Sequence, residues 1–163
     1  MPDDVIRTKR LDLVDDAGQT RASLSTGDGE TSLTFLNREG RPALGIGVND
    51  DVGTPGASMF DERGTVRVSV DLDADGSPAA VLYDAAGEPR MALGVGEDGA
   101  SAIDFTGPFG EARITLEVDE IGQPGLVIMD GSGSDRVAIT VDKDGEPHID
   151  FLDPDGKVTK WPV

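Results

Sequence analysis

Residues 78–100 read PAAVLYDAAGEPRMALGVGEDGA, and these 23 residues carry the plan of the whole chain. Ala80 and Leu82 alternate with their neighbours, Asp84 opens an Asp-x-x-Gly turn ending at Gly87, and the alternation returns at Met91, Leu93 and Val95. A spacing of two places successive apolar side chains on one side of a strand, so the segment predicts two strands joined by a reversal. Glycines in step with Gly87 stand at Gly18, Gly40, Gly64, Gly110, Gly133 and Gly156, and a second series, Gly29, Gly53, Gly76, Gly99, Gly122 and Gly145, runs between them. The chain is therefore a tandem repeat: one small unit, unable to bury its apolar side alone, is stacked on copies of itself. Its units run approximately over 8–30, 31–54, 55–77, 78–100, 101–123 and 124–146, with a partial unit at 147–163, all in one array.

The same pattern recurs in every unit. Leu11/Leu13, Leu33/Phe35, Ala57/Met59, Ile103/Phe105, Leu126/Ile128 and Ile149/Phe151 match Ala80/Leu82, while Ala22/Leu24, Leu44/Ile46/Val48, Val68/Val70/Leu72, Ile114/Leu116/Val118 and Val137/Ile139/Val141 match Met91/Leu93/Val95. No window has the three-and-four spacing of a helix, and 22 Gly and 10 Pro punctuate the chain, so an all-β fold without helix is expected. Pro55, Pro78, Pro124 and Pro147 stand where strands begin, the place where a missing N–H costs least. Asp-x-x-Gly recurs at Asp15, Asp61, Asp130 and Asp153, with Asn37 and Gly107 standing in for Asp elsewhere. That composition suits a type I turn closed by a glycine of positive φ. Asp28-Gly29, Asp75-Gly76, Asp98-Gly99 and Asp144-Gly145 read as a second family of hairpin turns.

A two-strand unit builds either an antiparallel meander of hairpins or a parallel β-solenoid. Arginine stands three residues after the turn glycine at Arg21, Arg67, Arg90, Arg113 and Arg136. A parallel solenoid would stack these like charges ~4.8 Å apart, whereas a meander separates them by two strands and faces each toward the Asp of its own turn, so the meander is preferred. A meander with one apolar side needs a cover, and closing thirteen or so strands into a single barrel would leave an unfillable lumen. An elongated sheet that associates with copies of itself, with a trimer favoured, is the expected resolution. A further apolar column, Val14, Leu36, Phe60, Tyr83, Met129 and Leu152, with Thr106 in the remaining unit, precedes the turn residue. It either turns inward at a local bulge or forms an outward ridge, and its apolar members are the interface candidates.

Leu82-Tyr83-Asp84-Ala85-Ala86-Gly87 resembles the Tyr-Asp-x-x-Gly core of the YD repeats of Rhs-type shell proteins, with Phe60-Asp61, Met129-Asp130 and Leu152-Asp153 as looser copies. More broadly the unit is similar to repeats of uncharacterised bacterial proteins that follow an apolar-x-apolar-apolar-Asp-x-x-Gly-x-x-Arg pattern. The resemblance implies stacked β-hairpins and an extracellular or shell-like role, and it brings no catalytic residue.

Chemistry is sparse in this composition. There are 32 acidic and 14 basic residues, giving a net charge of −18 that opposes binding to phosphate backbones and to anionic membranes; neither nucleic acid nor membrane insertion is expected. There is no cysteine, so thiolate chemistry is excluded, and with His148 as the only histidine a His–Cys metal site has no second member. His148 reads as a solvated strand residue. Asp71, Asp73, Asp75 and Gly76 match the opening of a calcium loop, but the twelfth position, which needs a bidentate Glu, is Leu82. An acidic hairpin turn without metal is the expectation there, and no cofactor is implied. Catalytic activity is not expected. The N-terminal residues lack the ~7 to 15 apolar positions of a secretory leader, which suggests a cytoplasmic chain or a non-classical exit and leaves the compartment open. Function is expected to be structural, as fibre, spacer or shell element. The alternative is a binding module or adhesin holding a glycan or protein, although one Trp, one Tyr and five Phe give little aromatic surface for sugars.

Overall fold

The computed structural model describes residues 5–159, which form one open sheet of fourteen antiparallel strands in sequential order. The strands are β1 (Arg10–Val14), β2 (Thr20–Gly27), β3 (Glu30–Leu36), β4 (Pro42–Asn49), β5 (Pro55–Phe60), β6 (Val66–Leu72), β7 (Pro78–Tyr83), β8 (Pro89–Val95), β9 (Ser101–Thr106), β10 (Ala112–Val118), β11 (Pro124–Met129), β12 (Asp135–Val141), β13 (Pro147–Leu152) and β14 (Val158–Thr159). Among the described residues there is no helix, and the meander replaces the solenoid alternative. Each strand touches only its neighbours in sequence, so the sheet neither closes nor folds over itself. Proline opens β4, β5, β7, β8, β11 and β13, where its missing N–H interrupts no interior ladder position.

Register converts the period-two pattern into continuous rows. One row runs Leu24, Leu33, Ile46, Ala57, Val70, Ala80, Leu93, Ile103, Leu116, Leu126, Ile139 and Ile149 across paired positions, and a second runs Ala22, Phe35, Leu44, Met59, Val68, Leu82, Met91, Phe105, Ile114, Ile128, Val137 and Phe151. Paired residues in an antiparallel ladder project to the same side, so both rows share what we call the aliphatic face. The alternate positions form a second face of small and polar residues, including Thr34, Gly45, Ser58, Ser69, Ala92 and Thr115.

All thirteen glycines of the two series hold φ between 75° and 88°, the left-handed region where a Cβ is strained. One turn recurs on both rims. In residues 61–65 the Gly64 N–H donates to the Asp61 carbonyl and the Asp61 N–H to the Thr65 carbonyl. The same pair of bonds closes the turns that start at Asp15, Asn37, Asp84, Gly107, Asp130 and Asp153 on one rim and at Asp73, Gly96, Asp119 and Asp142 on the other. The second rim thus differs from the separate Asp-Gly turn family expected there. Among the described residues a two-residue turn occurs at Asp28-Gly29 alone, where Asp28 itself takes φ 55°; its neighbour at Asn49 is one residue longer, Gly53 N–H reaching back to the Asn49 carbonyl.

Candidate functional site: the two faces of the sheet

The turn carboxylates are built into the backbone. One oxygen of Asp84 accepts the N–H groups of Ala86 at 2.8 Å and Glu88 at 3.1 Å, and the Asp or Asn at positions 15, 37, 61, 119, 130, 142 and 153 accepts two N–H groups in the same way. Where Gly107 replaces Asp, the Glu111 carboxylate swings into the vacated space and takes the Phe109 N–H at 3.0 Å. Gly96 is served likewise by Asp98, which accepts from Ala100.

The arginine column links neighbouring units. Arg90 holds Asp84 of its own turn through Nε at 2.8 Å and donates through Nη1 to the Gly107 carbonyl of the next unit. Arg21 reaches the Asn37 carbonyl at 2.8 Å, Arg67 the Tyr83 carbonyl at 3.0 Å, Arg113 the Met129 carbonyl at 3.2 Å and Arg136 the Asp153 carbonyl at 2.7 Å. Each therefore spans the two strands between like turns, and each also pairs with an acid near its own turn: Asp15, Asp61, Glu111 or Asp130. The second unit has Ala43 at the column position, and Arg41 makes the equivalent bridge to the Glu62 carbonyl at 2.9 Å. These partners hold Asp84 at about 2, with the Arg90 guanidinium as the largest cause and the Glu88 and Ala86 N–H groups next. The Ser132 hydroxyl, followed by its N–H, draws Asp130 down even further.

The predicted interface column lies on the second face. The Phe60 ring covers Gly45, where an added Cβ would meet Cε2 at 3.8 Å, and the Tyr83 hydroxyl lies 3.2 Å from Ser69 Oγ. A bulge occurs beside this column, but in the facing strand: Met59 pairs with Val68 and Phe60 with Val66, so Arg67 is skipped. Leu36, Phe60, Tyr83, Met129 and Leu152 are half-buried there, while Val14, at the sheet edge, is exposed.

Exposure is concentrated on the opposite side. Of the large apolar strand residues that stand open to solvent, eighteen lie on the aliphatic face, among them Met59 at 54%, Leu82 at 43% and Leu116 at 49%; Val14 and Val158 are the exceptions. No large side chain is fully buried among the described residues. The sheet is a single layer whose core exists only as one of its surfaces. The apolar members of this face are those that the period-two alternation picks out, but alternation alone does not reveal which side of the sheet remains open.

Asp71, Asp73 and Asp75 do not gather. Asp71 projects from β6, Asp73 begins a turn, and Asp75 accepts the Ser77 N–H at 2.9 Å; among the described residues no three His, Asp or Glu are placed to hold a metal ion. His148 is exposed, its Nε2 3.1 Å from Asp142.

Neither a family model nor a curated protein matches the chain. Two solved structures show distant similarity. An S. aureus TarM mutant in complex with fondaparinux, α-GlcNAc-glycerol and UDP is 12% identical with a TM-score of 0.22, over 66% of this chain and 19% of that one. The wild-type TCP10 domain of Danio rerio CPAP is 18% identical with a TM-score of 0.24, over 91% of this chain and 92% of that one. This chain spans about a fifth of the TarM chain's length. TM-scores this low establish no shared fold.

Proposed function

We propose that this chain is a non-catalytic structural repeat protein, a fibre, spacer or shell element that works by associating with copies of itself, with a trimer around a common axis as the favoured order. The observation that carries this reading is the single-layer sheet with no fully buried large side chain among the described residues. Folding is driven by removal of apolar surface from water, at roughly 25 cal/mol per Å², and a lone sheet that leaves its aliphatic rows half-exposed forgoes much of that. Other copies of the same sheet are a cover available wherever the chain is made. The turn carboxylates support the same reading, since those of Asp84 and Asp130 are engaged by turn N–H groups and arginines and thereby hold the array together. The shell-like role implied by the Tyr-Asp-x-x-Gly resemblance is consistent with it.

A binding module for protein or glycan is the second reading, favoured by Phe109, which is 93% exposed in the turn between β9 and β10. Light scattering on the eluting peak of a sizing column discriminates the two. Self-assembly predicts a mass that is a multiple of 17.0 kDa and is unchanged by Phe109→Ser. A 17.0 kDa species at high concentration removes the assembly reading.

A further inference from the structure

We propose that the aliphatic face, and not the Phe60–Tyr83 column, is the surface that another copy of this chain covers. The proposal rests on the self-assembly reading and specifies its contact. Area supports it first: eighteen half-exposed side chains of this size offer on the order of 1,000 Å² per molecule, against the roughly 800 Å² per partner of a standard stable interface. Charge supports it independently. From Leu11 to Phe151 no strand position on this face is Asp, Glu, Lys or Arg, although the molecule carries −18 overall. Two such faces can meet without opposing like charges, whereas contact through the second face would bring together Asp71, Asp104, Glu117 and Asp150 of each copy.

Burial of this face also strands no backbone group. Every strand from β2 to β13 is hydrogen-bonded on both sides, and all aliphatic-face side chains between Leu33 and Ile149 in the central row are hydrocarbon. The face is not flat. Ala80 sits between Val70 and Leu93 and, with Ile103 and Leu116, lines a hollow of about 500 Å³ that can receive side chains of a facing sheet. Packed sheets interdigitate in this way at a separation of about 10 Å. A lipid surface fits less well: the 6 to 8 residues of β2–β13 fall short of the roughly 9 to 11 that span a bilayer, and the acidic rims repel anionic headgroups.

Peroxide oxidation of the methionines in wild-type protein tests the proposal without a variant, because Met59 lies on the aliphatic face and Met129 on the other. In a lone chain Met59 is the more exposed. We expect the order to invert, with Met59 sulfoxide forming several-fold more slowly than Met129 sulfoxide. Met59 reacting as fast as or faster than Met129 overturns the assignment. Alongside it, Leu82→Asp with Phe105→Asp is expected to reduce the mass to 17.0 kDa with β-content kept, while Phe60→Asp with Tyr83→Asp leaves the mass unchanged. The reverse pattern overturns the choice of face and leaves self-assembly standing. A wild-type monomer removes both, and wild-type monomer recovered on phosphatidylcholine vesicles gives the face to lipid instead.

Discussion

Gly133 shows how narrowly a single residue is specified. Its φ is +79°, yet nothing lies within 4 Å of the place its Cβ would occupy. The cost of Gly133→Ala is therefore one of backbone conformation alone, on the order of 1 to 2 kcal/mol, and Gly133→Asn should cost clearly less because Asn tolerates the left-handed region. Thermal melts of the two variants check this; equal losses would contradict it. The turn acids add a pH dependence whose sign follows from their depressed values. Asp84 is lowered from 3.8 to about 2 in the folded chain, so the stability from its pairing is present above pH ~4 and is lost as pH falls through about 2. Asp84→Asn should accordingly melt below wild type at pH 7, with the gap closing toward pH 2; a gap of constant size would show that the Arg90 pairing does not stabilise the fold. Glycine placement and turn acids were legible in the sequence because both are local requirements. The arginine bridges were legible only halfway: the bond to the same unit's Asp follows from spacing, while the bond to a carbonyl 16 or 17 residues on depends on how units sit side by side.

At the scale of the element, the strands and their apolar rows could be read directly because a half-covered strand has to alternate. The second rim was harder. Asp75-Gly76 and Asp144-Gly145 look like two-residue turns, but Asp73 and Asp142, three residues before each glycine, start the same four-residue turn used on the other rim. Their Asp closes a strand whose apolar residues draw attention first. Equivalence of units gives a direct expectation. Deleting residues 78–100 brings Val70 opposite Ile103 and Val68 opposite Phe105, preserving the face, so the shortened chain should keep its β-sheet spectrum and melt at a lower temperature because a unit interface is gone. Inserting one Ala between Val68 and Ser69 reverses the facing of half of β6 and should destabilise the chain more than removal of all 23 residues. A deletion that unfolds the chain while the insertion is tolerated would contradict the repeat description.

For the whole molecule, the all-β meander was visible in the sequence, and far-ultraviolet circular dichroism should show less than about 10% helix. Which side is left open was not visible, since burial depends on what lies against a face and a single layer has no second element to set it. The half-burial of Phe60 and Tyr83 arises from contacts with Gly45 and Ser69 on neighbouring strands, which only the register reveals. In the proposed assembly the aliphatic face is the inside. Because the chain has no cysteine, one introduced thiol is a unique label, and Ala80 lies on the aliphatic face at the middle of the fourteen strands. A spin label at Ala80→Cys should report a short distance between copies, whereas one at Ala92→Cys, on the second face, should report a longer one. A short distance at Ala92→Cys with none at Ala80→Cys, or no distance between copies at either site, would contradict it.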